Sequence, residues 1–155
     1  MNDTKQEARV IIGEELEALR KTIIAHHLNA GQRASGRTER SLHVEFTDST
    51  GTLYGRQAFG VLEVGRAGGK VPKGFYKVIL QWMQDKGIQV EKPKSFAFLV
   101  ARKIAKEGTK VHREGKIVDI YSQEIPKTVQ NILDRLFGVF AKDVQHINLN
   151  SNEKD

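Results

Sequence analysis

Cysteine is absent from this 155-residue chain, so disulfide staples, thiolate zinc sites and thiol nucleophiles are all excluded. That composition fits a reducing compartment, or particles assembled inside one. Long apolar runs are missing too. None approaches the roughly 18 residues of a membrane-spanning helix. The first ten residues, MNDTKQEARV, carry charge where a signal peptide would carry its apolar core. The expectation is a chain neither exported by a standard signal nor embedded in a membrane. No internal repeat and no low-complexity block interrupts it.

What is present is charge, unevenly spread. The formal net charge is +6, and residues 66–116 hold 13 basic against 4 acidic side chains. The other segments are neutral or slightly acidic, so the middle third carries the whole basic excess. A field concentrated in this way either faces something acidic or belongs to solvated lysine-rich surfaces.

The length suits a single domain, expected over residues 1–147, with 148–155 (NLNSNEKD) as a polar C-terminal tail. Ile12, Leu16, Leu19 and Ile23 recur at 4-3-4 spacing and predict a long amphipathic helix ending at HHLNAG. Leu42, Val44 and Phe46 alternate with His43 and Glu45 as in a strand. The segment TDSTGT suits a hairpin turn, and LYGRQAFGVLEVG is expected to return as the second strand with Phe59 and Val61 inward. Pro72 is placed to start a helix whose stripe is Phe75, Val78, Ile79 and Trp82, closed at Gly87. Ser95 is the candidate N-cap of another helix, closed by Gly108. KIVDIYS suggests a short strand, and a last helix is expected over roughly 126–143, carrying Val129, Ile132, Leu133, Leu136, Phe137 and Phe140. The fold class is α+β: a long N-terminal helix packed on a small, mainly antiparallel sheet, with two middle helices and a C-terminal helix.

The stretch LEVGRAGGKVPKG, residues 62–74, invites a phosphate-cradle reading. A P-loop would need Gly where Val64 stands and Ser or Thr where Val71 stands, and no G-x-G-x-x-G opens a helix here. A mobile basic loop is the better reading. The histidines His26, His27, His43, His112 and His146 form no i, i+4 pair, and His26 and His27 diverge on their helix, which suits surface or partial burial. The hydroxyls of RASG, TERS and YSQE stand beside no recognisable base. The sequence therefore offers no catalytic constellation, no metal set and no cofactor motif. FLVARKIAKEGTKVHREGK places Arg102, Lys103 and Lys106 near one helical face, followed by Lys110 and Arg113. These five are the candidate DNA-facing residues, since phosphate contact needs only such charge. The aromatics read as core, which leaves sequence-specific readout without a stacking platform.

Across residues 34–110 the order of ASGRTERSL, a glycine-broken hairpin, VLEVGR, GGKVP, an I-x-x-W-x-x-x-KGI helix and FAFLVARKIAKEGT resembles the neck or tail-completion proteins of tailed bacteriophages. Gly65, Arg66, Gly69, Lys70, Pro72, Ile79, Trp82, Lys86, Gly87 and Ile88 carry the match to a variant known from phages and prophages of gut bacteria. Gly65-Arg66 stands where many relatives have Gly-Thr. The resemblance implies a non-enzymatic virion structural protein, assembled in the host cytoplasm into a homo-oligomeric ring of six- or twelvefold symmetry. Such a ring joins the portal or connector to the tail, stacks on adjacent ring proteins and touches the passing genome without sequence preference. On that reading Gly65, Arg66, Gly68, Gly69, Lys70, Pro72 and Lys73 form an interface arm. The alternative is a nucleic-acid-binding protein acting through residues 66–116.

Overall fold

The computed structural model describes residues 2–47 and 50–150 of the chain. The fold is α+β: helix α1 (Asn2–Asn29), an antiparallel pair β1 (His43–Phe46) and β2 (Gly51–Tyr54), then helices α2 (Ala58–Val64), α3 (Phe75–Asp85), α4 (Pro93–Glu107), α5 (Lys110–Arg113) and α6 (Glu124–Asn150). A 3₁₀ turn, Glu39–Ser41, precedes β1. Read from sequence as one domain over 1–147, the chain groups into two compact units. The first takes residues 1–23, 43–54 and 121–155; the second takes 24–42 and 55–120.

In the first unit α1 packs on the hairpin through its glycines. A Cβ at Gly51 would lie 2.7 Å from Ile12 Cγ2 and 2.8 Å from Leu16 Cδ1, so the strand backbone itself rests on the helix. Phe46 fills the notch left by Gly13, and Arg9 lies over the Phe46 ring at 5.8 Å. The register pairs His43 with Tyr54 and Phe46 with Gly51. The expected turn residues Asp48 and Ser49 lie outside the described residues, but Thr47 N–H donates to Thr50 O at 2.9 Å where the two strands converge. Helix α6 closes against α1. Arg135 bridges Glu14 at 2.5 Å and Glu15 at 2.8 Å, Thr4 Oγ1 donates to Asp143 at 2.5 Å, and Ile11, Leu19 and Val139 are buried.

In the second unit α3 and α4 form an antiparallel hairpin around Ile79, Met83, Ala97 and Ala101. Ala97 and Ala101 sit four residues apart with small side chains, which lets the facing helix approach closely. Met83 is 1% exposed and fills the gap between them. Gly87 and Gly108 end the two helices as their sequence positions foretold.

Several expectations are overturned. The second strand stops at Tyr54, and residues 58–64 turn into α2, whose helical spacing buries both Phe59 and Glu63. Val61, expected inward, points outward. Pro72 stands in a turn, and α3 starts at Phe75, with Phe75 N–H donating to Pro72 O at 3.1 Å. Pro93 supplies the first turn of α4 with Lys92 at the cap, so Ser95 lies inside the helix. The α3 stripe is shifted: Val78 and Trp82 face outward, while Ile79 and Met83 face inward. KIVDIYS forms no strand. Instead of a ladder, Val118 N–H donates to Glu63 O at 2.8 Å, and among the described residues β1–β2 is the only sheet. The last helix runs beyond 143 to Asn150, absorbing the start of the expected polar tail, and residues 151–155 lie outside the described residues.

Candidate functional site

The basic glycine loop is bound to the end of α4. Arg66 N–H donates to Thr109 Oγ1 at 2.8 Å, Thr109 N–H returns to Arg66 O at 2.9 Å, and Gly69 N–H reaches Ala105 O at 2.7 Å. The last of these occupies one of the carbonyls that a helix C-terminus leaves without intrahelical partners. The glycines follow from the closeness of the two backbones. A Cβ at Gly65 would lie 2.5 Å from His112 N, and one at Gly68 would lie 2.6 Å from Lys106 O. Gly65 and Gly108 also hold φ of +76° and +81°, where other residues are strained. The mobile arm expected from sequence is thus a stapled loop over 65–69. Arg66 folds back, donating to the Lys70 carbonyl and lying 5.6 Å from the Phe75 ring centre. Of the seven residues assigned to the arm, Lys70, Pro72 and Lys73 are the outward ones with side chains to offer a partner.

The second unit also holds a cleft of about 690 Å³ lined by His27, Arg37, Glu39, Arg56, Lys77 and Trp82, among others. His27 is fully buried where it lines the cleft, against the expectation of surface or partial burial. Its Nε2 lies 3.3 Å from Glu39 Oε2, its Nδ1 faces Gln32 Oε1 at 3.4 Å, and its ring meets Phe59 edge-on at 5.7 Å. Arg33 clamps the other Glu39 oxygen at 2.8 Å, and Gln32 Nε2 donates to Leu62 O at 2.8 Å. Both ring nitrogens face these neighbours, so the imidazole ties the end of α1 to the 3₁₀ turn and α2. Chemically this arrangement is a structural knot, with neither ring nitrogen turned to the open cleft.

Two surfaces carry large apolar side chains outward. On α6 the apolar arc is about 180° wide at 100° per residue, and the α1 contact covers only one side of it. Exposure climbs across the arc from Val139 at 8% through Val129, Phe140, Leu133 and Val144 to Phe137 at 76%. Leu133, Phe137, Phe140 and Val144 recur at 4-3-4 spacing, the seam of a helix that packs on another helix. The sequence signals this through the apolar excess of α6, but Phe137 and Phe140 are read there as core with the other aromatics.

On α4 the outward face is apolar at its start and cationic at its end. Phe96, Phe98 and Leu99 are exposed, which corrects the reading of the aromatics as core. Arg102, Lys103 and Lys106 follow on the same side, exposed and outside every ion pair found among the described residues. Lys110 and Arg113 belong to α5 and are engaged locally, with Lys110 3.7 Å from Glu114 and Arg113 donating to Gly108 O at 2.7 Å. Three of the five candidate DNA-facing residues therefore share a face and two do not.

Comparison with family models, curated proteins and solved structures finds no match to the chain. Among the described residues no helix is long and apolar enough to cross a membrane.

Proposed function

We propose that the chain is a non-enzymatic structural subunit that assembles with copies of itself, of the kind that forms the neck or tail-completion ring of a tailed phage. The observation that carries this reading is the α6 seam. Its five outward side chains, Val129, Leu133, Phe137, Phe140 and Val144, expose apolar surface on the order of 500 Å², the size of the largest patch on a typical protein surface, and such a patch is often an interaction site. The head–tail location, stacking against portal or tail rings and incorporation into the virion rest on the sequence resemblance over residues 34–110. The fold suits that role, because each compact unit offers faces that can repeat about an axis.

Light scattering coupled to gel filtration, followed by negative-stain imaging of the purified chain, tests the reading. Closed rings or discrete oligomers are the expected result. A monomer at all accessible concentrations overturns it.

A second reading, nucleic-acid binding, is favoured by one observation: two exposed phenylalanines beside three cations on α4 that form no ion pair among the described residues. Such a face can stack bases and neutralise phosphates. A gel-shift titration over salt separates the two readings. Tight binding by the monomer with steep salt dependence supports this second one.

A further inference from the structure

We propose that the outward seam of α6 of one copy docks on the α3–α4 surface of the next, around Phe98, so that copies join through two different faces. This rests on the self-assembly reading above. Phe98 stands 56% exposed between two hollows, about 210 Å³ beside Val71, Pro72 and Arg102 and about 540 Å³ beside Lys94 and Leu99. Tyr76 lines both hollows and meets the Phe98 ring edge-on at 6.3 Å. A surface with one aromatic ridge between two depressions takes a complementary row of side chains. The 4-3-4 row on α6 is the apolar ridge the same chain supplies.

Charge decides between this pairing and α6 packed on a second α6. The open border of the seam holds Gln130, Asp134, Ala141 and Gln145. Asp134 accepts from Gln130 at 2.7 Å, and nearby Lys127 is held by Glu124 at 2.7 Å. Packing α6 on α6 would bring the Asp134 side of the seam near its own copy, placing like charges together. Packing on α4 brings it toward Lys94, Arg102, Lys103 and Lys106, which form no ion pair among the described residues. The seam alone falls short of the roughly 800 Å² per partner of a standard interface. The cationic rim of α4 and the polar border of α6 supply the remainder. Contact through unlike faces leaves the pair with one free face of each kind, which is how a ring grows and closes.

The test is complementation between two full-length variants. Phe137→Glu spoils the α6 face, and Phe98→Glu spoils the α3–α4 face; both positions are exposed, and circular dichroism checks that each variant is folded. Leu99→Glu replaces Phe98→Glu if that variant unfolds. Each variant alone is expected to run as a monomer. An equimolar mixture is expected to give a 1:1 pair that grows no further, because each variant retains the face that the other lacks. If Phe98→Glu and Leu99→Glu assemble as the unaltered chain does, the pairing is wrong while self-assembly stands; the same holds if the mixture stays monomeric. If the unaltered chain is itself a monomer, the reading beneath the proposal fails. Loss of oligonucleotide binding in Phe98→Glu with assembly intact also overturns it and assigns the face to nucleic acid.

Discussion

The carbonyl oxygen of Arg66 occupies the space where a side chain at position 108 would begin, and Thr109 N–H donates to that same oxygen at 2.9 Å. Gly108→Ala therefore meets two costs at once, a backbone overlap and a φ of +81°. We expect a loss of about 3 kcal/mol or more in urea unfolding. Gly115→Ala is the control. Its φ is +60° with nothing near its Cβ, so its loss should stay near 1 kcal/mol. Equal losses in the two variants would remove the claim of close approach.

Thr109→Val keeps the shape of the side chain and removes the oxygen that accepts Arg66 N–H at 2.8 Å. Stability should fall by about 1–2 kcal/mol. Limited proteolysis should cut within residues 66–73 faster than in the parent chain, since the loop loses its staple. An unchanged cleavage rate would show that the other bonds suffice.

Met83→Ala should cost about 2–5 kcal/mol, because the side chain is 1% exposed and packs against Ala97 and Ala101. Trp82→Ala, at 42% exposure, should cost less than Met83→Ala, no more than about 3 kcal/mol, despite removing more atoms. The reverse order would restore the stripe that the sequence suggests.

Glu17 has its carboxyl held below the usual carboxylate range, first by the hydrogen bond from Arg20 at 2.8 Å and then by the nearby positive charges. A depressed carboxylate stabilises the fold at pH above its unfolded value and loses that contribution as pH falls through its folded value. Arg20→Gln should raise the Glu17 midpoint in a carboxyl NMR titration and flatten the acid limb of the stability curve. An unmoved midpoint would dissociate the pair.

Lys70→Glu with Lys73→Glu reverses the outward charge of the glycine loop without touching its backbone staples. Thermal melting should be unchanged within a degree or two, as for exposed surface substitutions generally. If the loop serves as an interface arm, the assembled fraction in gel filtration falls; an unchanged fraction excludes these lysines from the contact between copies. Gly68→Pro is unsuited to this purpose, because Gly68 lies against the backbone of Lys106.

Legibility followed period and punctuation. The long apolar repeat of α1 and the alternation of His43–Phe46 made those elements readable, and Gly87 and Gly108 marked the helix ends. Residues 58–64 were misread because a short apolar run fits a strand as well as a single helical pass, and only packing decided for the helix. The α3 stripe slipped because Trp82 is apolar by type and outward by position, while Met83 filled the gap over two alanines. The outward faces of α4 and α6 were illegible for a simpler reason. Apolar residues look alike in sequence whether they are covered by their own chain or left for another.

The chain order of the two compact units has a consequence during synthesis. Residues 24–42 and 55–120 make up one unit that is fully synthesised once Ile120 is added, whereas the first turns of α1 must wait for α6. At translation rates of about 5–20 residues per second, the stretch from Tyr121 to the end of α6 at Asn150 takes roughly 2–6 seconds. Throughout that interval Ile11, Leu19 and their neighbours lack their final cover, which makes the nascent N-terminus a natural client for chaperones.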